Sequence, residues 1–504
     1  MSVVLLRIRL TVEVLMADPK KLKKPNAARP AGATKKPAAT AEKRRVDPEM
    51  LELLKRKRLE RVGPNATFEQ KNDAMFEIMR DLLWEAEDEL LRGERTDADE
   101  IDVDGKKFRR LDQPSSATYF GRFGSHQVEE PLYREVGVHN GPTVKPVELR
   151  VGVVEHMLPD MARIVGALSA ERGSRGLERT LRTVGYAPPS RAFLADHVTA
   201  LGVEIAAAAA ELEVAARAAT AVPEGVASVS CGLDRMSVRM SEPVDGSTCT
   251  RTEPYERDAP AMKEYHWRKA WVGSASAFDA EGNELATWRV AADAATDPAQ
   301  LAERVAADVA WLVGEHPGIA VHCVQDAAPE LRAMVEALDN ALPADVEAVE
   351  LIDFEHLMGY LDDVVDALDP RDSHNMKGWY RGELLRDDDA IDRICRNLRA
   401  QAKRLPGRNT KSRRAIAAAL RYARGRKDKM RYASHYGANL PIGSGATEST
   451  CWQMQQRVKL PGQSWEPDGL RGTLAIRALV LSERWESAWN HYAAGHRAEV
   501  TISP

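Results

Sequence analysis

The chain has 504 residues, of which 44% are hydrophobic and 29% are charged. That length exceeds what one ordinary hydrophobic core organises, so we expect several domains. A balance of 71 Lys and Arg against 76 Asp and Glu leaves a formal net charge of −5. Taken alone, this near-neutral average argues against a nucleic-acid partner, unless the charges are segregated along the chain.

The cysteines and the apolar residues exclude two further classes of protein. Five cysteines stand singly, without any C-x-x-C pair, which argues against a thiolate zinc site and a disulfide framework. No apolar run approaches the roughly 18 residues that a membrane helix needs. We therefore expect a cytoplasmic protein with no membrane partner.

The N-terminal region is predicted to be a disordered basic arm over residues 1–46. Residues 17–46 consist mainly of Lys, Ala, Pro and Thr, which cannot bury enough apolar surface to fold. Such an arm either contacts phosphates or serves as a solubilising tail. Arg7 and Arg9 interrupt the apolar start, which argues against a signal peptide and leaves Met1 or Met16 as the true start.

Residues 47–148 are predicted to form a small α+β module. Apolar residues recur at helical spacing over residues 66–92, which indicates a long amphipathic helix. Residues 101–137 then alternate with period two, and Asp104-Gly105 is a hairpin turn signal.

Residues 149–222 are predicted to be helical. Helices are expected over residues 160–172 and 175–184, and a third begins after Ser190 with Arg191. This spacing is compatible with a helix-turn-helix that contacts DNA through Arg191, and equally with a plain helical bundle.

Residues 223–370 and 436–495 are predicted to form a ribonuclease-H-like α/β domain. Three hairpin-linked strands are expected over residues 225–240, 270–278 and 285–291, followed by helix, strand, helix and strand. Asp234 lies on the first of these strands, and Asp326 ends the fourth. In the ribonuclease-H-like order these two strands are neighbours.

Each of these aspartates has a simpler interpretation, because a strand-terminal Asp often caps a turn or a helix. Asp326 stands just ahead of Pro329, where a helix is expected to begin. Asp245 competes with Asp234 for the first position. It falls in a turn rich in Pro, Gly and Ser, so we prefer Asp234 on its apolar strand.

A third acid follows a turn of small residues. The segment is Pro441-Ile-Gly-Ser-Gly445-Ala-Thr-Glu448, in which Ser444 is a good N-cap and Glu448 lies in the first helical turn. Glu448 could simply complement the helix dipole. The density of small residues indicates instead that something approaches the backbone here.

Three converging carboxylates suit one kind of chemistry. Hard divalent cations such as Mg²⁺ prefer oxygen ligands, and two ions about 4 Å apart can bracket a phosphodiester. One ion activates the attacking water or 3′-hydroxyl, and the other stabilises the leaving oxygen. Three acids on separate elements therefore favour a site for two Mg²⁺ ions, with Mn²⁺ as a substitute.

Residues 223–495 resemble DDE transposases of bacterial insertion sequences, specifically the Kra-type group. The motifs that carry the resemblance are Leu233-Asp234, Val324-Gln-Asp326, Ile352-Asp-Phe-Glu-His356, Pro441 to Glu448, Arg457-Val-Lys459, Gly462 with Trp465, Ile476-Arg-Ala-Leu479 and Ser482-Glu-Arg-Trp485. The resemblance implies that Asp234, Asp326 and Glu448 are the metal ligands and catalytic residues. Residues 47–222 resemble the family more loosely.

Asp353 and His356 form a D-x-x-H pair just beyond the fifth strand. Such a pair resembles an element of several transposase groups, where it would support the site together with Ser444 or orient DNA. The alternative is a helix N-cap followed by a surface histidine.

Residues 371–435 are predicted to be a basic α-helical insertion. In its later part, over residues 404–431, Arg and Lys recur with few acids between them, which indicates a surface that follows phosphates. The predicted DNA contacts are Arg413, Arg414, Arg424, Arg426 and Lys427, with Arg457 and Lys459 further on. Trp452 and Trp465 are expected to pack in a core, although either could stack on a base.

The leading hypothesis is a transposase that cuts and rejoins DNA at the ends of its own element. The alternatives are a ribonuclease-H-like nuclease or resolvase without strand transfer, and a catalytically silent DNA-binding derivative. The expected partners are the terminal inverted repeats and target DNA, within a homodimer or larger synaptic complex near the nucleoid. Residues 496–504 are expected to be a tail.

Overall fold

Residues 48–243, 263–368, 373–405, 407 and 410–502 are described by a computed structural model. The predicted arm over residues 1–46, the alternative acid Asp245 and Arg408 of the insertion lie outside these ranges. Within them, helices and strands alternate in a mixed α/β architecture, and the strands form two five-stranded sheets. No helix in the described ranges is both long enough and apolar enough to cross a membrane.

The first sheet combines the N-terminal module with the C-terminus of the chain. Its strands run in the spatial order β10-β1-β2-β3-β4, all antiparallel. Their bounds are β1 Glu100–Val103, β2 Lys106–Phe120, β3 Ser125–Glu135, β4 Thr143–Val144 and β10 Val500–Ile502. The predicted hairpin is confirmed at Asp104 and Gly105, which have φ values of 51° and 82°. The predicted tail over residues 496–504 therefore contributes an edge strand to this sheet.

Seven helices of the described ranges precede the second sheet, and they include those predicted from periodicity. Their bounds are α1 Pro48–Val62, α2 Phe68–Gly93, α3 Pro146–Val151, α4 Pro159–Ser169, α5 Ser174–Thr183, α6 Arg191–Ala207 and α7 Ala209–Ala219. Thr67 and Gln70 form a capping box at the start of α2. Ser190 caps α6 by accepting a hydrogen bond from the Phe193 N–H.

The second sheet has the spatial order β7-β6-β5-β8-β9. The strands are β5 Ser228–Pro243, β6 Lys263–Phe278, β7 Glu284–Ala292, β8 Ala320–Gln325 and β9 Ala348–Ile352. The first three are antiparallel neighbours, whereas β8 pairs parallel to β5 and β9 pairs parallel to β8. This is the element order expected from the sequence.

Helices cover both faces of the second sheet. On one face, α8 Pro298–Glu315 and α9 Ala333–Ala341 bury Cys231, Leu233 and their neighbours. On the other face, α15 Gly445–Val458 and α16 Pro467–Leu481 pack on Met236, Val238 and Met240. Successive residues of a strand point to opposite faces, so Asp234 lies on the face that α15 covers.

The insertion folds onto the helix that follows β9. That helix is α10 Phe354–Leu368, and the insertion supplies α11 Ser373–Leu384, α12 Ala390–Arg404, α13 Lys411–Ala423 and α14 Ala433–Gly437. Their apolar side chains form one core, which includes Leu361 of α10, Leu398 of α12 and Ile416 of α13. The insertion therefore shares its core with the catalytic domain predicted from the sequence.

The helical region over residues 149–222 also shares its core rather than forming its own. Apolar side chains of α4, α5 and α6 pack against α16 and against α17 Trp485–Gly495. At the crossing of α6 and α16, a Cβ added to Gly202 would lie 2.7 Å from Cα of Gly472. The close approach requires small residues at both positions, and it packs the helical region directly on α16.

Candidate metal and nucleic-acid site

The backbone register places the two predicted aspartates at the same level of neighbouring strands. Parallel pairing of β5 with β8 ends at Cys231 opposite Cys323, and Asp234 and Asp326 each follow three residues later. Pairing of β8 with β9 ends at Gln325 opposite Ile352, and the Asp353 N–H donates to the Gln325 carbonyl at 3.0 Å. The carboxylates of Asp234, Asp326 and Asp353 thus lie on or just after three adjacent strands of the sheet, β5, β8 and β9.

Glu448 is carried to this edge by the first turn of α15. The neighbouring Thr447 is buried against the sheet, where its hydroxyl lies 2.8 Å from the Ser274 hydroxyl of β6. A Cβ on Gly232 of β5 would lie 2.6 Å from the Val324 carbonyl oxygen and 3.1 Å from Thr447 Oγ1. The turn of small residues and Gly232 therefore let α15 approach the sheet closely.

Asp353 is the buried anchor of this turn, with 1% of its surface exposed. Its Oδ2 accepts hydrogen bonds from the Ser444 N–H and hydroxyl, the latter at 2.7 Å, and its Oδ1 accepts one from the His356 N–H at 2.6 Å. Burial alone would raise the pKa of Asp353, but the hydrogen bonds from His356 and Ser444 outweigh it and lower the pKa to about 2. Asp353 is therefore a carboxylate at neutral pH.

His356 lies between the anchor and Glu448. Its Nδ1 is 3.2 Å from Asp353 Oδ1 and 3.6 Å from Glu448 Oε1. The hydrogen bond to Asp353, with the nearby charges of Asp326 and Glu448, raises the pKa of His356 to about 9. At neutral pH His356 is therefore a cation that offsets part of the negative charge of Asp326, Asp353 and Glu448.

Asp353, His356 and Glu448 form a group that could hold a metal ion. Each offers a ligand atom, and the three atoms lie within 4.8 Å of one another. Asp234, Asp326 and Glu448 do not form such a group among the described residues, so this conformation does not gather the predicted triad within that distance. Asp353 also caps α10 by accepting from the His356 N–H, and the His356 side chain is 43% exposed, as the alternative of a helix cap and a surface histidine expected. The pair nevertheless lies beside Glu448 as well.

Asp234 is half-buried and interacts with the Arg235 backbone and with the Cys451 thiol. Its Oδ1 accepts a hydrogen bond from the Arg235 N–H at 2.6 Å. Burial, followed by the negative charge of Asp234, raises the pKa of the Cys451 thiol to about 12. Cys451 follows Glu448 by three residues on α15, so this contact ties the first predicted acid to the helix of the third.

Ser444 occupies the predicted N-cap position of α15, but its side chain does not cap the helix. Its hydroxyl instead lies 2.7 Å from Asp353 Oδ2 and 3.2 Å from Glu448 Oε1. The prediction of the cap is therefore corrected: the hydroxyl donates its proton to the buried Asp353 carboxylate, and in this orientation its oxygen accepts no hydrogen bond from the N–H groups of α15. The predicted supporting position beside Glu448 agrees with this geometry.

Two side chains of the insertion contact Asp326 or its neighbour Ala327, and the sequence analysis did not link either of them to the acids. The Tyr422 hydroxyl donates to Asp326 Oδ1 at 3.2 Å, and its ring stacks on Tyr360 with centroids 4.3 Å apart. Arg426, predicted to bind DNA, donates to the Ala327 carbonyl at 3.1 Å. A tyrosine 96 positions away carries no local signal for this contact.

The other predicted DNA contacts fall into two groups, those exposed to solvent and those held by contacts within the protein. Arg191, Arg414, Arg424 and Lys459 are exposed. Arg413 is half-buried and donates to the Leu405 carbonyl, and Lys427 pairs with Asp392 at 2.5 Å.

Arg457 lies in the protein interior. Its guanidinium is buried, donates to the Ser169 carbonyl at 3.0 Å and lies 4.9 Å from the centre of the Trp465 ring. Burial lowers the pKa of Arg457 to about 10. Its prediction as a surface DNA contact is therefore corrected: Arg457 joins α15 to α4. Trp465 is partly buried against the core that contains Met454 and Val458, as expected. The same expectation is wrong for Trp452, which is 61% exposed.

Comparison with known proteins does not assign the site. No family model matches the chain, and no curated protein matches it.

Proposed function

We propose that this chain is a metal-dependent DNA strand transferase of the DDE transposase type, built on a ribonuclease-H-like domain. The observation that carries the proposal is the alignment of Asp234 and Asp326 at one level of adjacent parallel strands, with Glu448 delivered to the same edge by α15. The order of the second sheet, with three antiparallel strands followed by two parallel ones, supports the ribonuclease-H-like assignment.

The donor set fits hard divalent cations. Asp234 and Asp326 are half-buried and the Glu448 side chain is 50% exposed, so all three carboxylates border solvent. Mg²⁺ or Mn²⁺ held by these oxygens would supply the activation of a water or 3′-hydroxyl and the stabilisation of a leaving oxygen. The His356 cation offsets part of the charge of Asp326 and Glu448, and it offers a further ligand nitrogen once deprotonated.

The residues around the acids would orient them. Asp353 holds the turn before α15 through Ser444, and Ser444 in turn contacts Glu448. Tyr422 fixes one oxygen of Asp326 and leaves the other available. These contacts keep two of the acids in place before DNA arrives, which lowers the cost of assembling the site.

The exposed cations of the insertion support a DNA partner. Arg414 and Arg424 lie on and just after α13, the helix that carries Tyr422 to Asp326. A phosphate backbone bound there would therefore pass beside the acids. Joining two element ends requires two sites, so we include a homodimer or larger assembly in the proposal.

One assay separates strand transfer from the alternatives. The full chain is incubated with labelled duplexes from the two flanks of its coding region, supercoiled plasmid and Mg²⁺. Glu448→Gln is compared with Glu315→Gln, an exposed glutamate at the end of α8. Joined products that disappear only in Glu448→Gln support the proposal.

The remaining outcomes contradict it in different ways. Metal-dependent cleavage without joining indicates a nuclease or resolvase, and DNA binding without either reaction indicates a silent derivative. Full activity of Glu448→Gln would show that the site is assigned to the wrong residues.

A further inference from the structure

Beyond Asp234, β5 and β6 leave the second sheet as a two-stranded ribbon. Pairing of β8 with β5 covers only Ser228 to Cys231, and β7 ends at Ala292, opposite Trp271 of β6. The pairing of β5 with β6 continues to Pro243 opposite Lys263. Residues 236–243 and 263–270 therefore project from the edge of the sheet that carries the acids.

The two faces of this ribbon differ in what covers them. Met236, Val238 and Met240 point to one face and pack beneath α15 and α16. Directly opposite pairs on the other face are Arg239 with Trp267 and Ser237 with Lys269. Trp267 is 66% exposed and Tyr265 is 55% exposed. We call Arg239, Tyr265, Trp267 and Lys269 the ribbon face.

The ribbon face carries positive charge and aromatic rings together. Cζ of Arg239 lies 4.2 Å from the centre of the Tyr265 ring, which holds both groups in place. Among the described residues of the ribbon, the acids Glu242 and Glu264 point to the opposite face. There they pair with Arg268 at 2.8 Å and His266 at 3.3 Å, respectively.

Exposed aromatic rings beside cations fit a nucleic acid whose bases are free to stack. Aromatic side chains stack on unpaired bases, and cations contact the phosphates between them. Bases inside a duplex are already stacked on one another, so an intact duplex offers only its phosphates and groove edges. Four residues of extended chain lie between Asp234 and Arg239, so the two positions are roughly 17 Å apart along β5. That distance corresponds to a few nucleotides. The side chains of Asp234 and Arg239 point to opposite faces of the strand, so a bound DNA strand would cross the edge of the sheet between the acids and the ribbon face.

We propose that the ribbon face binds unpaired nucleotides of a DNA strand next to the position where that strand is cut. This inference rests on the proposed function for its DNA substrate, but it assigns a surface that the metal site does not require. Stacking on Trp267 would hold a frayed strand end apart from its complement. The end would then remain near the acids for the joining step.

The test measures binding rather than catalysis. The dissociation constant of the full chain is measured by fluorescence anisotropy, without divalent metal, for a labelled single strand and for its duplex. Trp267→Ala is expected to weaken binding of the single strand about 5- to 100-fold and that of the duplex less than twofold. Trp267→Phe should retain most of the affinity, because a ring remains.

Two matched controls separate this effect from general loss of surface. Phe68→Ala removes an aromatic side chain that is 84% exposed on α2, and Arg268→Ala removes a cation from the opposite face of the same ribbon. Both should change single-strand affinity less than twofold. An unchanged affinity of Trp267→Ala for the single strand overturns the inference, and an equal loss on both DNAs assigns the ribbon to duplex binding instead.

The inference and the proposed function can fail separately. If Trp267→Ala weakens single-strand binding but the wild type never cleaves DNA with Mg²⁺, the ribbon face stands and the transferase assignment fails. If the wild type cleaves and joins DNA but Trp267→Ala binds and acts normally, the transferase assignment stands and the ribbon face is wrong.

Discussion

The hydroxyl of Tyr422, at the end of α13, donates a hydrogen bond to Oδ1 of Asp326 at 3.2 Å. Burial, and then the charge of Asp326, raise the pKa of Tyr422 above its ordinary value, so the phenol keeps its proton and remains a donor. The insertion therefore has a structural connection to the acids, in addition to its basic surface.

Tyr422→Phe should reduce metal-dependent cleavage about 10- to 100-fold, because the loss of a hydrogen bond that orients a metal ligand has costs of that order. The aromatic ring remains, so its stacking on Tyr360 should persist. Cleavage rates measured against Mg²⁺ concentration should reach half of their maximum at a higher concentration in the variant than in the wild type.

Tyr380→Phe is the matched control for this prediction. Tyr380 is buried in the same helical core, and its hydroxyl has no hydrogen-bond partner among the described residues. Its removal should leave cleavage unchanged and leave stability unchanged or slightly increased. Equal effects of the two variants on cleavage would contradict a specific role for Tyr422.

Gly232→Ala should impair activity by moving α15 away from the sheet. The added Cβ would lie 2.6 Å from the Val324 carbonyl and 3.1 Å from Thr447 Oγ1. A displacement of Glu448 by about 1 Å is expected to reduce the cleavage rate about 100-fold. Overpacking of this kind should also lower the free energy of unfolding by about 1–3 kcal/mol, as measured by urea denaturation.

Gly314→Ala provides the comparison for that substitution. Gly314 lies in α8, and a Cβ there meets nothing within 4 Å. Alanine is the better helix former, so this variant should be as stable as the wild type or more stable, with full activity. If Gly232→Ala also retained full activity, close approach of α15 at Gly232 would not matter for the site.

Asp308→Asn should destabilise the junction between the helical region and the second sheet. Asp308 is buried and accepts hydrogen bonds from Arg484 at 2.9 Å and from Arg217 at 3.0 Å. Replacing the carboxylate leaves these arginines without their countercharge, which costs about 3–5 kcal/mol in buried networks. Urea denaturation of this variant, compared with exposed Asp345→Asn, measures the difference.

The stability of the protein should fall in acid partly through His197. Burial lowers the pKa of His197 to about 4, so the folded protein holds a neutral imidazole where the unfolded chain titrates near 6.5. The stabilisation is complete above about pH 6.5 and declines as the pH falls towards 4. Between these pH values the unfolded state binds a proton at His197 and the folded state does not. The resulting loss in the free energy of unfolding is at most about 3 kcal/mol.

His197→Gln removes this titration, so its free energy of unfolding should decline less than that of the wild type between pH 6.5 and 4. The comparison needs unfolding curves at several pH values, because loss of the contact between His197 Nδ1 and the Glu155 carbonyl at 3.3 Å adds a constant offset. Exposed His139→Gln should follow the wild type. Parallel curves for His197→Gln and the wild type would be inconsistent with the neutral buried imidazole.

Much of the local architecture follows from the sequence alone. The Asp104-Gly105 turn, the Ser190 cap and the five strands of the second sheet all lie where residue patterns predict them. Each depends on neighbours a few positions away: residues that favour positive φ, a hydroxyl at a helix start, or apolar runs of strand length. The order of those strands is also enough to place Asp234 and Asp326 side by side.

Contacts between distant segments were decided by the tertiary structure. Arg457 is buried against α4, Tyr422 reaches Asp326, and β10 joins β1 across nearly the whole chain. Arginine and tyrosine are also common on exposed helices and loops. The residues next to Arg457 and Tyr422 in the sequence therefore do not indicate that these side chains are buried. Their burial depends on which apolar faces meet when the helical region, the insertion and the second sheet pack into shared cores. The Ser444 hydroxyl is a further example, because it donates to the buried carboxylate of Asp353, which lies 91 positions away in the sequence.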